Sequence, residues 1–497
     1  IWVDTDRTED ERSFEYDDPT AINNSIVEGG NLETDNANVS YIDQTNYNIN
    51  SGYELPLFGG TSKFKLGFAS FEESVYEQEV EIDTSELPMV FEEEEETVDL
   101  DDKEWSLQWQ HSLFAGENKT IQFGAFVQGK ERDTAVYQAE GESEQSFTSW
   151  DQFNQTPMSL AGFNNEFEAA AGGVNKLEED RLDVFALVKH EDQDFSWELG
   201  VRYETTDSTI TDKVEGVSAK NDYDFFLPSA HLRYNVSENG RVSASVARSL
   251  RRPDFDYITP ALLEKELGDN DFLGNPDLQP ESSWGMDLGY EYRLGKSGVV
   301  GINVFYRDVT DLIEIANTGQ QGSEGDGTYI LQPRNTGDGN VKGIELDLST
   351  PLSAISMPNT GVFFNYSWLD SEVDDTFGSR KFNDQSDYVF NVGFIQDLPD
   401  LGASFGATYR KQGDAYGRIV GEEVTTHYGA DLEVFVEKRW QDVTLRLVGS
   451  NLLDASKDET FNKFDTVDDQ INRDFDEYEL ESEEAGPVIQ LMLRYAF

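Results

Sequence analysis

The chain has 497 residues, and its 99 Asp and Glu against 37 Lys and Arg give a net charge of −62. A nucleic-acid-binding protein needs cations to displace phosphate counterions, so this charge excludes a nucleic-acid partner. The absence of cysteine excludes disulfides, and no run approaches the roughly 18 apolar residues of a membrane helix. Aromatic residues nevertheless make up 12% of the chain, which is too many for a disordered acidic protein and indicates an ordered fold.

Apolar and polar residues alternate strictly in many segments, and this period of two predicts β-strands with one apolar face. In chain order, the apolar faces of the clearest segments start at Phe64, Trp197, Met286, Ile344 and Leu432. The residues between the apolar positions are mostly charged or glycine. Each strand therefore has a second face that a dry protein core would not tolerate.

Short polar turns alternate with long polar connections. The short turns are predicted at 56–63, 114–119, 190–194, 236–241, 294–297, 397–402 and 439–442. The long connections are predicted at 83–103, 141–179, 251–279, 316–334 and 456–485. This alternation predicts an all-β fold: a transmembrane, antiparallel, up-and-down β-barrel with about 17 or 18 strands in this chain. A soluble β-sandwich or propeller is the alternative, and the charged inner faces disfavour it.

The last strand has five large apolar residues on one face: Ile489, Leu491, Leu493, Tyr495 and Phe497. In water such a terminal strand would pair with other chains and aggregate. Facing lipid, with aromatic residues at the strand end, the same pattern is favourable.

Several short motifs occur in a fixed order along the chain. They are ELGVRYE at 198–204, FLPS at 226–229 with LRY at 232–234, ARS at 247–249 with RP at 252–253, GNPDLQPE at 274–281, FYRDV at 305–309, GIEL at 343–346 and NLLD at 451–454. In this order they resemble the landmarks of the barrel of TonB-dependent outer-membrane receptors, from about residue 180 to the carboxyl end and more loosely from residue 45. Taken singly, Pro276 and Pro280 could simply shape a loop, and Gly343 could mark a strand kink.

The resemblance implies a 22-stranded barrel with an N-terminal plug domain. It therefore implies that residues 1–497 form the barrel domain and that the plug and the first strands lie outside this sequence. Tyr495 and Phe497 resemble the signal that the barrel-insertion machinery reads. The implied partners are outer-membrane lipid and lipopolysaccharide, a TonB-type energising protein that engages an N-terminal segment absent here, and a small-molecule or oligosaccharide ligand.

The four histidines, His111, His190, His231 and His427, are scattered without metal-ligand spacing. Nothing in the sequence ties one of them to a nucleophile and an orienting carboxylate, so we predict no catalytic residues and no enzymatic activity. We predict no cofactor and no metal ligands.

Two acidic clusters, at 92–102 and 465–484, fall in predicted outer loops. One interpretation is that they attract divalent cations, which prefer oxygen ligands. The other is a highly charged surface that keeps the loops soluble in a salty habitat. Such an acidic surface also disfavours a highly anionic ligand, although salt weakens that repulsion.

Aromatic and amide side chains in the 141–179 loop are the predicted ligand contacts: Phe147, Trp150, Gln152, Phe153 and Asn154. Rings flanked by amides suit a sugar or another flat, hydroxylated ligand. The alternative is that these rings pack the loop onto itself.

The resemblance implies a Gram-negative outer-membrane receptor for TonB-energised uptake of a scarce nutrient, such as a siderophore, a vitamin or an oligosaccharide. The alternative is a passive porin or a structural surface protein.

Overall fold

The computed structural model describes residues 2–16, 32–83, 89, 91–142, 146–148, 152, 155, 166–267, 270–323, 325–375, 377–464, 467–475 and 477–495. In chain order its strands are β1 (Trp2–Tyr16), β2 (Leu32–Leu57), β3 (Gly60–Asp83), β4 (Phe91–Phe114), β5 (Lys119–Glu142), β6 (Glu168–Ala169), β7 (Asn175–Glu191), β8 (Phe195–Asp212), β9 (Ser218–Asn235), β10 (Gly240–Arg251), β11 (Leu262–Leu267), β12 (Asn270–Leu273), β13 (Glu281–Leu294), β14 (Gly298–Gly322), β15 (Gly325–Leu352), β16 (Met357–Asp375), β17 (Gly378–Arg380), β18 (Tyr388–Leu398), β19 (Ala403–Gln412), β20 (Ala415–Ile419), β21 (Glu422–Tyr428), β22 (Asp431–Trp440), β23 (Val443–Ser450), β24 (Ser456–Lys463), β25 (Glu477–Glu484) and β26 (Val488–Tyr495).

Helical structure is sparse in these ranges. The helices are α1 (Phe255–Ile258) and α2 (Val467–Asn472), with 3-10 turns at Ser353–Ile355 and Pro399–Leu401. Among the described residues, no helix is both long enough and apolar enough to cross a membrane.

The long strands form one antiparallel meander in which each strand pairs with the next. Its order is β1-β2-β3-β4-β5-β7-β8-β9-β10-β13-β14-β15-β16-β18-β19-β22-β23-β26. These eighteen strands confirm the predicted number and topology within the described part of the chain. In that part β1 pairs with β2 alone and β26 pairs with β23 alone, so the sheet is not closed.

The two faces of the sheet differ as the alternation predicts. On β13, Met286 and Leu288 are 55% and 58% exposed, while Asp287 between them is half-buried on the opposite face. On β8, Leu199 and Tyr203 are exposed, while Glu204 on the other face is buried. An exposed apolar face backed by a polar inner face is the pattern of a sheet that contacts lipid.

The predicted short turns lie at one end of the sheet. At the β2–β3 turn, Phe58 and Gly59 adopt φ angles of 48° and 76°, and Gln441 does the same at the β22–β23 turn with 48°. Positive φ angles are usual in the tight turns that join antiparallel strands. Both turns fall within segments that the sequence predicts as turns.

Two predicted long loops are wrong. Most of segment 83–103 lies in β4, and segment 316–334 forms the ends of β14 and β15, which approach each other at Gly322 and Gly325. The strands continue past the exposed apolar belt, and on β4 the consecutive residues Glu92, Glu93 and Glu94 place carboxylates on both faces. Alternation of hydrophobicity disappears there although the backbone ladder persists, so the sequence pattern hides these strand ends.

Part of the predicted loop 456–485 is also ordered. It contains β24, α2 and β25, and the two strands pair with each other. Together with β20 and β21 they form a separate four-stranded sheet in the order β20-β21-β24-β25. This second sheet, like the strand extensions, lies at the end of the meander opposite the short turns.

The GNPDLQPE motif at 274–281 fixes the outer end of the meander. A Cβ atom on Gly274 would lie 1.6 Å from the carbonyl oxygen of Thr259, so the position requires glycine. Asn221 donates hydrogen bonds to the carbonyls of Pro276 (3.1 Å) and Leu278 (2.6 Å). The motif therefore has a structural role at this end.

Leu278 anchors the motif in a hydrophobic cluster and is 1% exposed. The other buried members of the cluster are Leu177, Ile210, Phe255, Ile258 and Ile313. These residues come from β7, β8, α1 and β14, so Leu278 holds several strand ends together.

We expect Leu278→Ala to lower the unfolding temperature of the protein, because truncating a fully buried leucine costs about 2–5 kcal/mol. Heat-dependent gel migration of the purified protein measures the change. Leu401→Ala is the matched control, since Leu401 lies in a short turn and is 60% exposed. Equal midpoints for the two variants would contradict the anchoring role.

Candidate functional site

A cavity of about 490 Å³ opens on the inner wall of the sheet, and we call it the arginine cavity. Its basic lining residues are Arg181, Arg202, Arg248 and Arg252. Its other polar lining residues are Gln108, Gln110, Gln122, Glu198, Glu204, Ser229 and Ser249. The lining residues come from six neighbouring strands, β4, β5, β7, β8, β9 and β10, and from Arg252, which directly follows β10.

Alternation places the charged side chains of β7 and β8 on the inner face. On β7, Leu182 and Val184 are exposed on the apolar face, so Arg181 and Asp183 share the opposite face. The register then pairs Asp183 with Glu204 of β8. Two carboxylates from neighbouring strands thus meet at one level of the wall.

Three arginines surround these two carboxylates. Arg181 donates to Asp183 through Nε (2.8 Å) and Nη2 (2.7 Å), and its Nη2 also donates to Glu204 at 2.8 Å. Arg202 donates to Asp183 at 2.7 Å, and Arg252 contacts Glu204. Asp183 and Glu204 are 0% and 2% exposed, so both need cationic partners to stay ionised away from water.

Three of the arginines also stack on phenyl rings. The pairs are Arg181 over Phe126 at 5.2 Å, Arg202 over Phe185 at 5.4 Å and Arg248 over Phe225 at 5.4 Å from guanidinium carbon to ring centroid. Such stacking is favourable for a cation and fixes the plane of the guanidinium group. The cavity therefore presents pre-oriented donors.

Gly124 makes room for one of these rings. A Cβ atom there would lie 2.7 Å from the Phe185 ring and 2.1 Å from the carbonyl oxygen of Trp109. The close approach of Phe185 to the neighbouring strand thus depends on glycine, and Phe185 in turn supports Arg202.

The arginine cavity concentrates charge of both signs. Its four arginines face four carboxylates, since Glu198 and Glu204 line the cavity and Asp183 and Glu179 interact with its arginines. Guanidinium and amide donors around one cavity suit an anionic ligand. These residues were not among the predicted site residues. Two features of the sequence point to them. Arg202 lies on the polar face of the ELGVRYE segment, and Arg252 belongs to the Arg-Pro motif at 252–253.

The predicted ligand loop is only partly described. Phe147 is 1% exposed and packs edge-on against Phe91 at 4.8 Å, and Thr148 donates a hydrogen bond to Gln152 at 2.7 Å. Trp150, Phe153 and Asn154 lie outside the described residues. Phe147 thus packs the loop onto the sheet, as the alternative predicts, and ligand contact by this loop stays a prediction.

The predicted assembly signal is also only partly described. Tyr495 ends β26, while Phe497 lies outside the described residues.

The first acidic cluster lies on a strand. Glu94 of β4 stands opposite Glu79 of β3 and Glu140 of β5, which makes a row of like charges. Amides supply partners nearby, as where Gln138 donates to Glu96 at 3.0 Å. Within the described ranges no group of three or more His, Cys, Asp or Glu could hold a metal ion, and cation binding by the acidic segments stays a prediction.

The histidines take part in local structure. His111 lies 2.8 Å from the Ser62 hydroxyl, and it packs with the rings of Phe58, Trp109 and Phe123. Rings near the short-turn end of the sheet fit an interfacial aromatic belt. His427 contacts the Asp414 carboxylate at 2.7 Å, and both side chains are exposed.

Glu481 of β25 is the acid whose titration the fold changes most clearly outside the membrane. Partial burial and the neighbouring carboxylates of Glu479, Glu11 and Glu459 raise the pKa of Glu481 to about 7. Glu11 belongs to β1, so the outer hairpin β24–β25 lies close enough to the first strand of the meander for their carboxylates to repel each other.

An antiparallel meander with an exposed apolar belt and a charged inner wall defines a transmembrane β-barrel protein. A family model described as TonB dependent receptor-like, beta-barrel, matches residues 2–452. The chain therefore belongs to the TonB-dependent receptor family. This confirms the resemblance seen in the motifs, the fold class, the location in the outer membrane of a Gram-negative bacterium, and the prediction that the chain is not an enzyme.

The chain is similar to curated proteins over part of its length. Over 223 residues it is 25% identical to the iron-regulated outer membrane virulence protein of Vibrio cholerae strain O395 and 24% identical to that of strain N16961. Each match covers 44% of this chain and 32% of the relative, so the aligned part spans about a third of those proteins.

Solved structures share the fold. The siderophore receptor PiuA from Acinetobacter baumannii aligns with a TM-score of 0.55 at 12% identity, over 99% of this chain and 79% of PiuA. The iron transporter FrpB from Neisseria meningitidis gives 0.53 at 11% identity, over 94% and 78%. The ferric citrate transporter FecA gives 0.55 at 11% identity, over 93% and 69%. At these identities the similarity concerns the fold alone.

We expect the outer hairpin β24–β25 to become less stable as pH rises. Because the pKa of Glu481 is raised from 4.5 to about 7, the folded state binds more protons than the unfolded state between these values. Stability is then lost as pH rises through this window. Glu481→Gln should slow amide exchange in β25 at about pH 8 and leave it unchanged at about pH 5.

Glu483→Gln is the control, because Glu483 lies two positions along the same strand and pairs with Lys457 at 3.2 Å. It should not slow exchange at either pH. Slower exchange in Glu481→Gln at both pH values would show that charge is not the cause.

Proposed function

We propose that the protein is an outer-membrane receptor that takes up a scarce iron complex of the siderophore type. The observation that carries the proposal is the family match over residues 2–452. The names of similar proteins support iron as the nutrient, since they describe an iron-regulated outer membrane protein, a siderophore receptor and an iron transporter. The arginine cavity adds a polar surface with pre-oriented donors on the inner wall of the sheet.

We propose further that strands outside this sequence complete the barrel and that a plug domain fills it. The hydrocarbon core of a bilayer offers no hydrogen-bond partners, so the outward edges of β1 and β26 need neighbouring strands. A barrel of this size without a plug would enclose a wide aqueous lumen. Release of the ligand would then require a TonB-type energising protein acting on the plug side.

The experiment is uptake of radioactive ferric siderophores by iron-starved cells of the native host. We expect deletion of the gene to abolish uptake of one ferric siderophore, and a protonophore to abolish it in the parent, because transport through a plugged barrel needs energy. Restoring the full-length gene should restore uptake. A matched strain that lacks TonB should behave like the deletion.

Two outcomes would contradict the proposal. Uptake that persists with the protonophore, together with steady conductance of the purified protein in a planar bilayer, would identify a passive porin. Unchanged uptake of every ferric siderophore, with lost uptake of an oligosaccharide or a vitamin, would reassign the nutrient.

A further inference from the structure

We propose that Lys119, His190 and Trp197 bind a phospholipid headgroup at the short-turn surface of the membrane, and that this headgroup carries both a phosphate and a primary ammonium group. We call these three residues the rim site. The inference goes beyond the proposed function, because it concerns the outward face of the barrel and does not depend on the nutrient. The occupant to which it commits is a lipid of the surrounding bilayer.

The strand register places the rim site in one row across three neighbouring strands. Lys119 begins β5 and lies directly opposite His190 of β7. His190 in turn lies directly opposite Trp197 of β8. Directly opposed residues of an antiparallel pair share a face, with Cβ atoms about 4.5–5.5 Å apart. The row is therefore only about 10 Å wide, which matches a single lipid headgroup.

The rim site lies on the lipid-facing side of the sheet, where the apolar belt ends. Two positions along the same strands, toward the middle of the sheet, stand Ile121, Val188 and Leu199. Ile121 and Leu199 are 37% and 53% exposed, as residues of the belt. In the other direction the β4–β5 and β7–β8 turns follow within a few residues. The short turns of an outer-membrane barrel face the periplasm, so the row lies where the hydrocarbon ends and the lipid phosphates begin.

Lys119 is a cation without a protein partner. Its side chain is exposed, and among the residues that the structure describes none forms an ion pair or a side-chain hydrogen bond with it. Lys438 lies on the same outward face at the same end, but its Nζ donates to the carbonyl of Leu401 and lies 5.6 Å from the ring centroid of Trp440. Lys119 therefore keeps its donors for a ligand, and lipid phosphate is the anion available at this depth.

Two stacked rings place a second donor beside Lys119. The His190 ring stacks on Trp197 with centroids 5.9 Å apart, and the Phe195 ring lies 6.4 Å away. The Nδ1 atom of His190 is buried without a hydrogen-bond partner, so the imidazole reaches a ligand only through Nε2. Tryptophan is typical of the boundary between acyl chains and headgroups. The rings thus contact the upper part of the lipid while the two nitrogens contact phosphate oxygens.

Acidic residues in the adjoining turns favour a zwitterionic headgroup. Glu117 lies two residues before Lys119, and Asp192 lies two residues after His190. Both acidic residues are exposed on the water side of the row. In phosphatidylethanolamine a two-carbon link joins the phosphate to the ammonium group, so the ammonium group lies near these turns when Lys119 holds the phosphate. The net negative headgroup of phosphatidylglycerol would instead meet Glu117 and Asp192 without a compensating cation.

The test is photocrosslinking of the purified full-length protein, as its native gene encodes it, in neutral dodecyl maltoside micelles. The probe is phosphatidylethanolamine with a photoreactive group at the top of one acyl chain, which leaves the headgroup intact. We expect the label to concentrate in segments 114–123 and 188–199, and phosphatidylethanolamine to compete better than phosphatidylglycerol. Lys119→Gln should lower labelling of these segments about fivefold. His190→Phe should also lower it, since this change keeps a stacked ring but removes Nε2.

Lys438→Gln is the matched control, because it removes an outward-facing lysine whose Nζ is already bonded within the protein. It should leave labelling of the two segments unchanged. Lys119→Arg should retain labelling, which separates the loss of charge from a loss of packing. Glycerophosphoethanolamine, which has the same headgroup without acyl chains, should not compete, since it cannot contact the belt. Heat-dependent gel migration shows that each variant is folded.

Four results would overturn the proposal: labelling spread evenly around the outward face, an equal loss in Lys438→Gln, unchanged labelling in Lys119→Gln, or equal competition by phosphatidylglycerol. Competition by glycerophosphoethanolamine would also overturn it and would indicate a site for a soluble phosphate ester. Because crosslinking needs neither the nutrient nor a TonB-type partner, failure here is distinct from failure of energised uptake.

Discussion

The structure depends on one constraint, that the bilayer core offers a peptide group nothing to bond. The meander meets this constraint by pairing each strand with the next, from β1 to β26. Once the backbone N–H and C=O groups are hydrogen-bonded between neighbouring strands, the side chains need only suit the solvent on each face of the sheet. A chain that is 37% hydrophobic can therefore line a membrane, because lipid touches one face of each strand over part of its length.

The same ladder makes the arginine cavity possible. A charged pair such as Arg181–Asp183 would cost desolvation energy in a closed core, and the gain from pairing often fails to repay it. On an inner wall beside a lumen, Asp183 can be fully buried while Arg202 remains partly exposed. The rigid strands fix the spacing, and phenyl rings fix the guanidinium planes. A polar site with little freedom to rearrange is the result.

The sequence predicts this fold well where lipid imposes a period of two, as in β8 and β13. It fails in segments 83–103 and 316–334, since beyond the belt polar residues occupy both faces of the strands and hydrophobicity no longer alternates. The cavity was not predictable from spacing, because Arg181 and Arg252 are far apart in the chain and meet only through the strand register. Phe147 was not predictable as a buried residue either. It lies in a polar segment, but its ring packs against Phe91 of the sheet and is 1% exposed.

The distribution of charge matters more than its total. On the outer strands, rows such as Glu79, Glu94 and Glu140 place like charges side by side, which costs stability at low salt and less when salt screens them. On the inner wall, the scarce arginines gather around two carboxylates and one cavity. A screened surface repels anions only at short range, whereas a partly buried guanidinium attracts them at contact. An acidic exterior and an inner wall on which arginines pair with buried carboxylates are therefore compatible in one barrel.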